Sequence, residues 1–104
     1  MAMTPEAKVK KKVKLVLMDM GAYHLSPIGT GYGSMGAPDI IACVKGRFIG
    51  IECKAGNNKP TMLQENNLKQ IRENGGLAVV INEDNVGQLE EMITSWLSIA
   101  PAEK

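Results

Sequence analysis

Gly36-Ala37-Pro38-Asp39-Ile40-Ile41-Ala42-Cys43-Val44-Lys45-Gly46-Arg47-Phe48-Ile49-Gly50-Ile51-Glu52-Cys53-Lys54 is the stretch on which the fold turns. Two apolar runs, Ile40–Val44 and Phe48–Ile51, flank Lys45-Gly46. Gly enters the positive-φ turn region without steric cost, so the pair reads as a tight turn. A two-residue hairpin turn pairs Val44 with Arg47, and the same register sets Asp39 opposite Glu52. Side chains alternate along a strand, so Lys54 shares a face with Glu52 while Cys53 points the other way. Directly opposed Cβ atoms lie about 4.5–5.5 Å apart, and like charges there are destabilising. A cation between the carboxylates resolves the conflict, and oxygen-ligated Mg²⁺ or Mn²⁺ does so better than Lys54 alone. A three-residue bulged loop would instead slide the register and separate the carboxylates, unless a second bulge restored it. An ordinary hairpin with solvated charged ends is the plain alternative. It leaves the combination of Pro-Asp, hairpin and Glu-x-Lys unexplained.

The chain has 104 residues and 44% hydrophobic content, which suits one small domain with a single core in two or three layers. Aromatics make up only 4%, so the core is expected to be aliphatic, with Met filling gaps. The net charge of +1 excludes a globally basic nucleic-acid binder, and any such affinity must come from a local patch. The N-terminus is polar and Lys-rich, and Leu15–Met18 is too short for a signal sequence. No apolar run reaches membrane-spanning length. These features predict a cytoplasmic protein. Cys43 and Cys53 are not opposite in the hairpin register and are expected as buried free thiols. With His24 alone they make no zinc set.

Taken in order, Thr4-Pro5-Glu6 starts a helix, with Thr as cap, Pro at the first position and Glu in the first turn. Val9, Val13, Val16, Leu17 and Met20 recur at helical spacing, and Gly21 ends the helix after Asp19 or Met20. Glu6 lies three residues before Val9 and seven before Val13. It reads either as compensation of the helix dipole or as a third carboxylate aimed at the metal. Lys8, Lys10, Lys11, Lys12 and Lys14 fill the polar face, and Lys8, Lys11 and Lys12 are the candidate phosphate contacts. Ala22–Ile28 reads as a short strand near an edge or end, because of Pro27. Residues 29–36 form a Gly-rich loop that lacks the P-loop Lys, with Tyr32 and Ser34 able to touch phosphate. His24 reads as structural or surface. After a polar turn at 55–59, Thr61 and Gln64 match a capping box, and Gln64, Leu68 and Ile71 share a helix face. Gln64 is first a cap and otherwise an amide that orients Lys54, a water or a phosphate. Leu77–Ile81 reads as a strand buried on both faces. A right-handed crossover would lay it parallel to 47–54. Asp84 is a candidate cap for a last helix that presents Val86, Leu89, Ile93, Trp96 and Leu97 and ends at Pro101.

The predicted order is therefore helix, three strands, helix, strand, helix, an α/β fold with a mixed central sheet. Pro38-Asp39 and Glu52-Cys53-Lys54 resemble the signature of the PD-(D/E)xK nuclease superfamily, whose core is restriction-endonuclease-like. Together with Glu6, the 34–39 stretch and Gln64, they resemble the VRR-NUC (virus-type replication-repair nuclease) family from residue 6 to the last strand. The resemblance implies a metal-dependent DNA endonuclease. Asp39, Glu52, the Cys53 backbone carbonyl and Glu6 would then hold Mg²⁺ or Mn²⁺. Lys54 would orient the attacking water or stabilise the charged transition state, and Gln64 would support the site. It further implies a stand-alone, phage-like homodimer acting on branched DNA such as Holliday junctions. Flaps, nicks and plain duplex are the rival substrates, and a non-catalytic binding module is the rival class.

Overall fold

The computed structural model describes residues 3–27 and 36–99. The Gly-rich loop up to residue 35, with Tyr32 and Ser34, and the 100–104 tail with Pro101 lie outside the described residues. The elements run α1 (Pro5–Asp19), β1 (Tyr23–Leu25), β2 (Ile40–Val44), β3 (Arg47–Cys53), α2 (Met62–Glu73), β4 (Leu77–Ile81), a 3-10 turn (Val86–Gln88) and α3 (Leu89–Leu97). This is the predicted α/β order. The strands form one sheet in the order β1-β2-β3-β4, antiparallel except for the parallel β3–β4 pair.

The hairpin adopts the two-residue form. Lys45 and Gly46 both take positive φ, 52° and 79°, the primed turn whose twist matches that of its strands. Val44 pairs with Arg47 and Ile40 with Ile51, so one further step places Asp39 opposite Glu52. Alternation then sorts the faces. Ile40, Ala42, Val44, Ile49, Ile51 and Cys53 join Val9, Val13 and Leu17 of α1, and Leu89 and Ile93 of α3, in one apolar core. The opposite face carries Gly50 and Glu52, and there α2 packs on β3 and β4.

That second face is only half covered, which corrects two expectations. Cys43 is exposed rather than buried, because among the described residues no helix lies over its side of β1 and β2, where Tyr23, Leu25 and Phe48 are also exposed. Cys53, on the core side, is buried as expected. Strand β4 is parallel to β3, but it forms the sheet edge with Leu77, Val79 and Val80 only half buried.

Both helix starts follow their sequence signals. Thr4 accepts from Ala7 N–H at 3.1 Å, and Thr61 and Gln64 form a reciprocal capping box. The last connection differs from expectation. Asp84 caps nothing; instead Asn82 Oδ1 accepts from the N–H groups of Asp84 and Asn85, while Asn85 Oδ1 accepts from Asn82 N–H. The pattern is an Asx-type turn that competes with a helix cap. Trp96 lies beneath the Arg47 guanidinium, 3.9 Å from the ring centroid, and Arg47 also donates to the Trp96, Leu97 and Ile99 carbonyls. The Trp96 carbonyl also accepts from Ile99 N–H at 3.1 Å, and a cation at this helix end complements the negative end of the α3 dipole.

Gly36 fixes the approach to the hairpin. Its φ is +79°, and a Cβ there would fall 2.7 Å from the Leu63 carbonyl carbon in the first turn of α2. Gly36→Ala is therefore expected to destabilise the fold by about 2 kcal/mol or more through strain and overlap. A urea melt would show a lower midpoint at unchanged slope. An unchanged midpoint would mean that this segment is not pressed against α2.

Candidate active site

The site forms where β2 begins and β3 ends. The β2–β3 ladder ends at the Ile40–Ile51 pair, and Pro38, two residues before it, has no N–H to donate and lays its ring against Gly50. Cys53 N–H donates to Asp39 Oδ2 at 2.8 Å, fixing that carboxylate at the strand end. Gly50, two residues before Glu52 on the same face, has no Cβ, and Ile71 Cδ1 and Pro38 Cγ occupy that space. This packing closes the α2 side of the sheet beside Glu52.

Glu52 is the one buried charged residue among those described, 1% exposed, and neither carboxylate oxygen has a hydrogen-bond partner. Burial pushes its pKa up from 4.5 to about 8, and the neighbouring Asp39 carboxyl pushes in the same direction; Lys54 opposes, and Glu6 adds a smaller upward push. A buried carboxylate without partners is costly, and it either takes a proton or holds a cation. Burial also pushes the Cys53 thiol up to about 12. At neutral pH the thiol is thus an inert core group, and only the Cys53 backbone oxygen is a candidate metal donor.

The structure brings together Asp39, Glu52 and Lys54 as the register predicts, with Lys54 half-buried directly after β3. Glu6 is exposed on the first turn of α1, yet its charge acts on both Glu52 and Cys53. It does not close the set: among the described residues no three His, Cys, Asp or Glu side chains gather as a metal-holding group. Gln64 is half-buried at the start of α2, and its Oε1 accepts from Thr61 N–H at 2.9 Å. The carboxamide oxygen is thus committed to the cap. Lys8 and Lys12 line a groove beside the site, whereas Lys11 is exposed on α1 and is not part of that lining. His24 Nδ1 lies 3.2 Å from the Ala22 carbonyl, a local structural contact.

Sequence reasoning missed Lys10. It is half-buried, and its charge acts on Cys53. The available signal was its place one helical turn after Glu6 and three residues before the buried Val13, which aims it along the same flank.

The described chain is thus a four-stranded mixed sheet with three helices, and two carboxylates and a lysine stand at one strand end. One solved structure, named "VRR_NUC domain", superposes with a TM-score of 0.70 at 26% identity, covering 86% of this chain and 97% of the other. A second, named "VRR_NUC domain protein", gives a TM-score of 0.69 at 19% identity over 93% and 91% of the two chains, which bears on the fold alone. The first likeness supports assignment of the chain to the VRR-NUC family, and the second agrees with it in fold. No protein-family model and no curated protein matches the chain.

Proposed function

We propose that this domain is a metal-dependent endonuclease that hydrolyses DNA phosphodiesters, with Asp39 and Glu52 holding Mg²⁺ or Mn²⁺. The observation that carries this reading is the pair of buried, unpartnered Glu52 oxygens across the strand pair from Asp39. Hard oxygen donors suit either ion. The Cys53 carbonyl is the further protein oxygen, and Glu6, whose charge acts on Glu52, would serve through a water of the ion's shell. When bound, the ion supplies acidification of a water and neutralisation of charge on the phosphate.

Every other element of the chemistry belongs to the chain. Asp39 is held at a fixed angle by the Cys53 N–H. Lys54, a compact point charge, faces the negative charge that builds on the phosphate as water attacks phosphorus and the bridging P–O bond breaks. Gln64, with its oxygen committed to the cap, fixes the first turn of α2 beside these groups. Lys8, Lys11 and Lys12 add positive charge that attracts the phosphate backbone, and Tyr32 and Ser34, which precede Pro38-Asp39 in the sequence, are further candidate phosphate contacts. Branched DNA, including Holliday junctions, is the substrate class we assign, cut by a homodimer that presents two sites to two strands. The resemblance supports that assignment, and the setting we propose is the cytoplasm of a bacterial or phage-infected host cell.

The test uses purified protein with labelled four-way junction, flap and linear duplex in Mn²⁺. Paired symmetric nicks confined to the junction are expected. Equal cutting of all three substrates would reject junction specificity while leaving the nuclease in place. No cutting of any would reject the nuclease itself.

A further inference from the structure

Beside the active site runs a groove of about 550 Å³ between α1 and the 55–58 turn, starting one residue after Lys54. Lys8 and Lys12 stand on its α1 wall, with the buried Val9 behind them, and Gly56, Asn57 and Asn58 line the other wall. The lysines are one helical turn apart, a rise of about 6 Å, comparable to the spacing of neighbouring phosphates along one strand. Neither forms an ion pair among the described residues. The carboxylate in the lining, Glu83, is already engaged: its Oε1 accepts from Gly56 N–H at 2.7 Å and so pins the opposite wall in place.

We propose that this groove is the track for the sugar-phosphate backbone next to the scissile bond, with Lys8 and Lys12 each holding one phosphate. The inference rests on the nuclease reading and deepens it, since it separates these two lysines from the rest of a Lys-rich helix. Residues equally basic but elsewhere, such as Lys11, contribute general attraction and no fixed contact. Continuity with Lys54 gives the track its direction. A strand lying in the groove passes onto the carboxylate pair at the end of β3.

The experiment measures affinity of the metal-free, full-length chain for labelled DNA by fluorescence anisotropy across NaCl concentration. Each neutralised phosphate contributes about 0.9 to the slope of log affinity against log salt on duplex DNA. Lys8→Ala with Lys12→Ala is expected to lower that slope by about 1.8. The affinity lost between about 50 and about 200 mM salt would then shrink roughly tenfold. Ala is a strong helix former, so α1 persists, and Lys8→Arg with Lys12→Arg is expected to keep the slope. A charge-matched control, Lys45→Asn with Lys69→Ala, alters exposed lysines away from the groove and keeps a residue tolerant of positive φ at the turn. It is expected to leave the slope unchanged. Equal slopes for the wild type and the groove variant, or equal losses in groove and control variants, would overturn the track while a DNA-cutting wild type kept the nuclease reading. A wild type that neither binds nor cuts DNA would overturn both.

Discussion

Asp39→Asn and Lys54→Ala are each expected to slow strand cleavage by about 10³-fold or more, on the scale of losing a preorganised charge that acts on the transition state. The Asn replacement is chosen because a carboxamide oxygen can still accept from Cys53 N–H, the 2.8 Å bond that holds this side chain. It also lowers repulsion against Glu52, so the variant is expected to fold at least as stably as the wild type. Lys54 is half-buried and leaves the strand end without entering the core. Its truncation is therefore expected to change thermal stability by no more than about 1 kcal/mol. Cleavage rates in Mn²⁺, read beside melting curves, check both expectations. Full activity in either variant would remove these residues from the chemistry.

The second large effect concerns Glu52 and pH. Burial first, then the adjacent Asp39 carboxyl, lifts its pKa from 4.5 to about 8. The native state therefore binds this proton more tightly than the unfolded chain does. The stabilisation from the protonated group is complete below about pH 4.5 and is lost as pH rises through 8. In metal-free protein the loss across that window amounts to about 3–5 kcal/mol as an upper bound. Glu52→Gln, a neutral mimic of the protonated acid, is expected to flatten the dependence and to be the more stable protein at pH 8. Mn²⁺ is expected to restore stability to the wild type at pH 8, by linkage of binding to the native state, and to do little for the variant. Urea midpoints at pH 5 and pH 8 for both proteins, with and without Mn²⁺, give the answer. Parallel pH profiles for the two would contradict the account of a buried, partnerless carboxylate.

Much of the geometry of the candidate site is legible in the sequence because it follows from local turns and caps. Lys45-Gly46 admits a primed two-residue turn, and that single local choice fixes every pairing down to Asp39 and Glu52. Thr4-Pro5 and Thr61 with Gln64 mark helix starts through hydrogen bonds within one turn, so no distant residue decides them. What escaped was set by tertiary placement. Cys43 looks like a core residue along its strand, but α2 lands over β3 and β4 and leaves it bare. Val79 and Val80 belong to a run that reads as central, yet β4 is the edge and they are half covered. Asp84 loses the cap to an Asn82–Asn85 pair whose geometry depends on where β4 ends. Lys10 joins the active-site flank only because α1 crosses the core face at one particular rotation. Strand alternation also could not tell that Asp39 would spend one oxygen on the Cys53 N–H.

The central claim is that the opposed carboxylates form the cation-holding centre of a nuclease. It is tested most directly by strand cleavage of a labelled four-way junction as Mn²⁺ is titrated into metal-free protein, with Asp39→Asn in parallel. The account predicts no cleavage without the ion, saturable cleavage by the wild type, and none above background by the variant. Cleavage that proceeds in chelator, or that Asp39→Asn performs as well as the wild type, would contradict it.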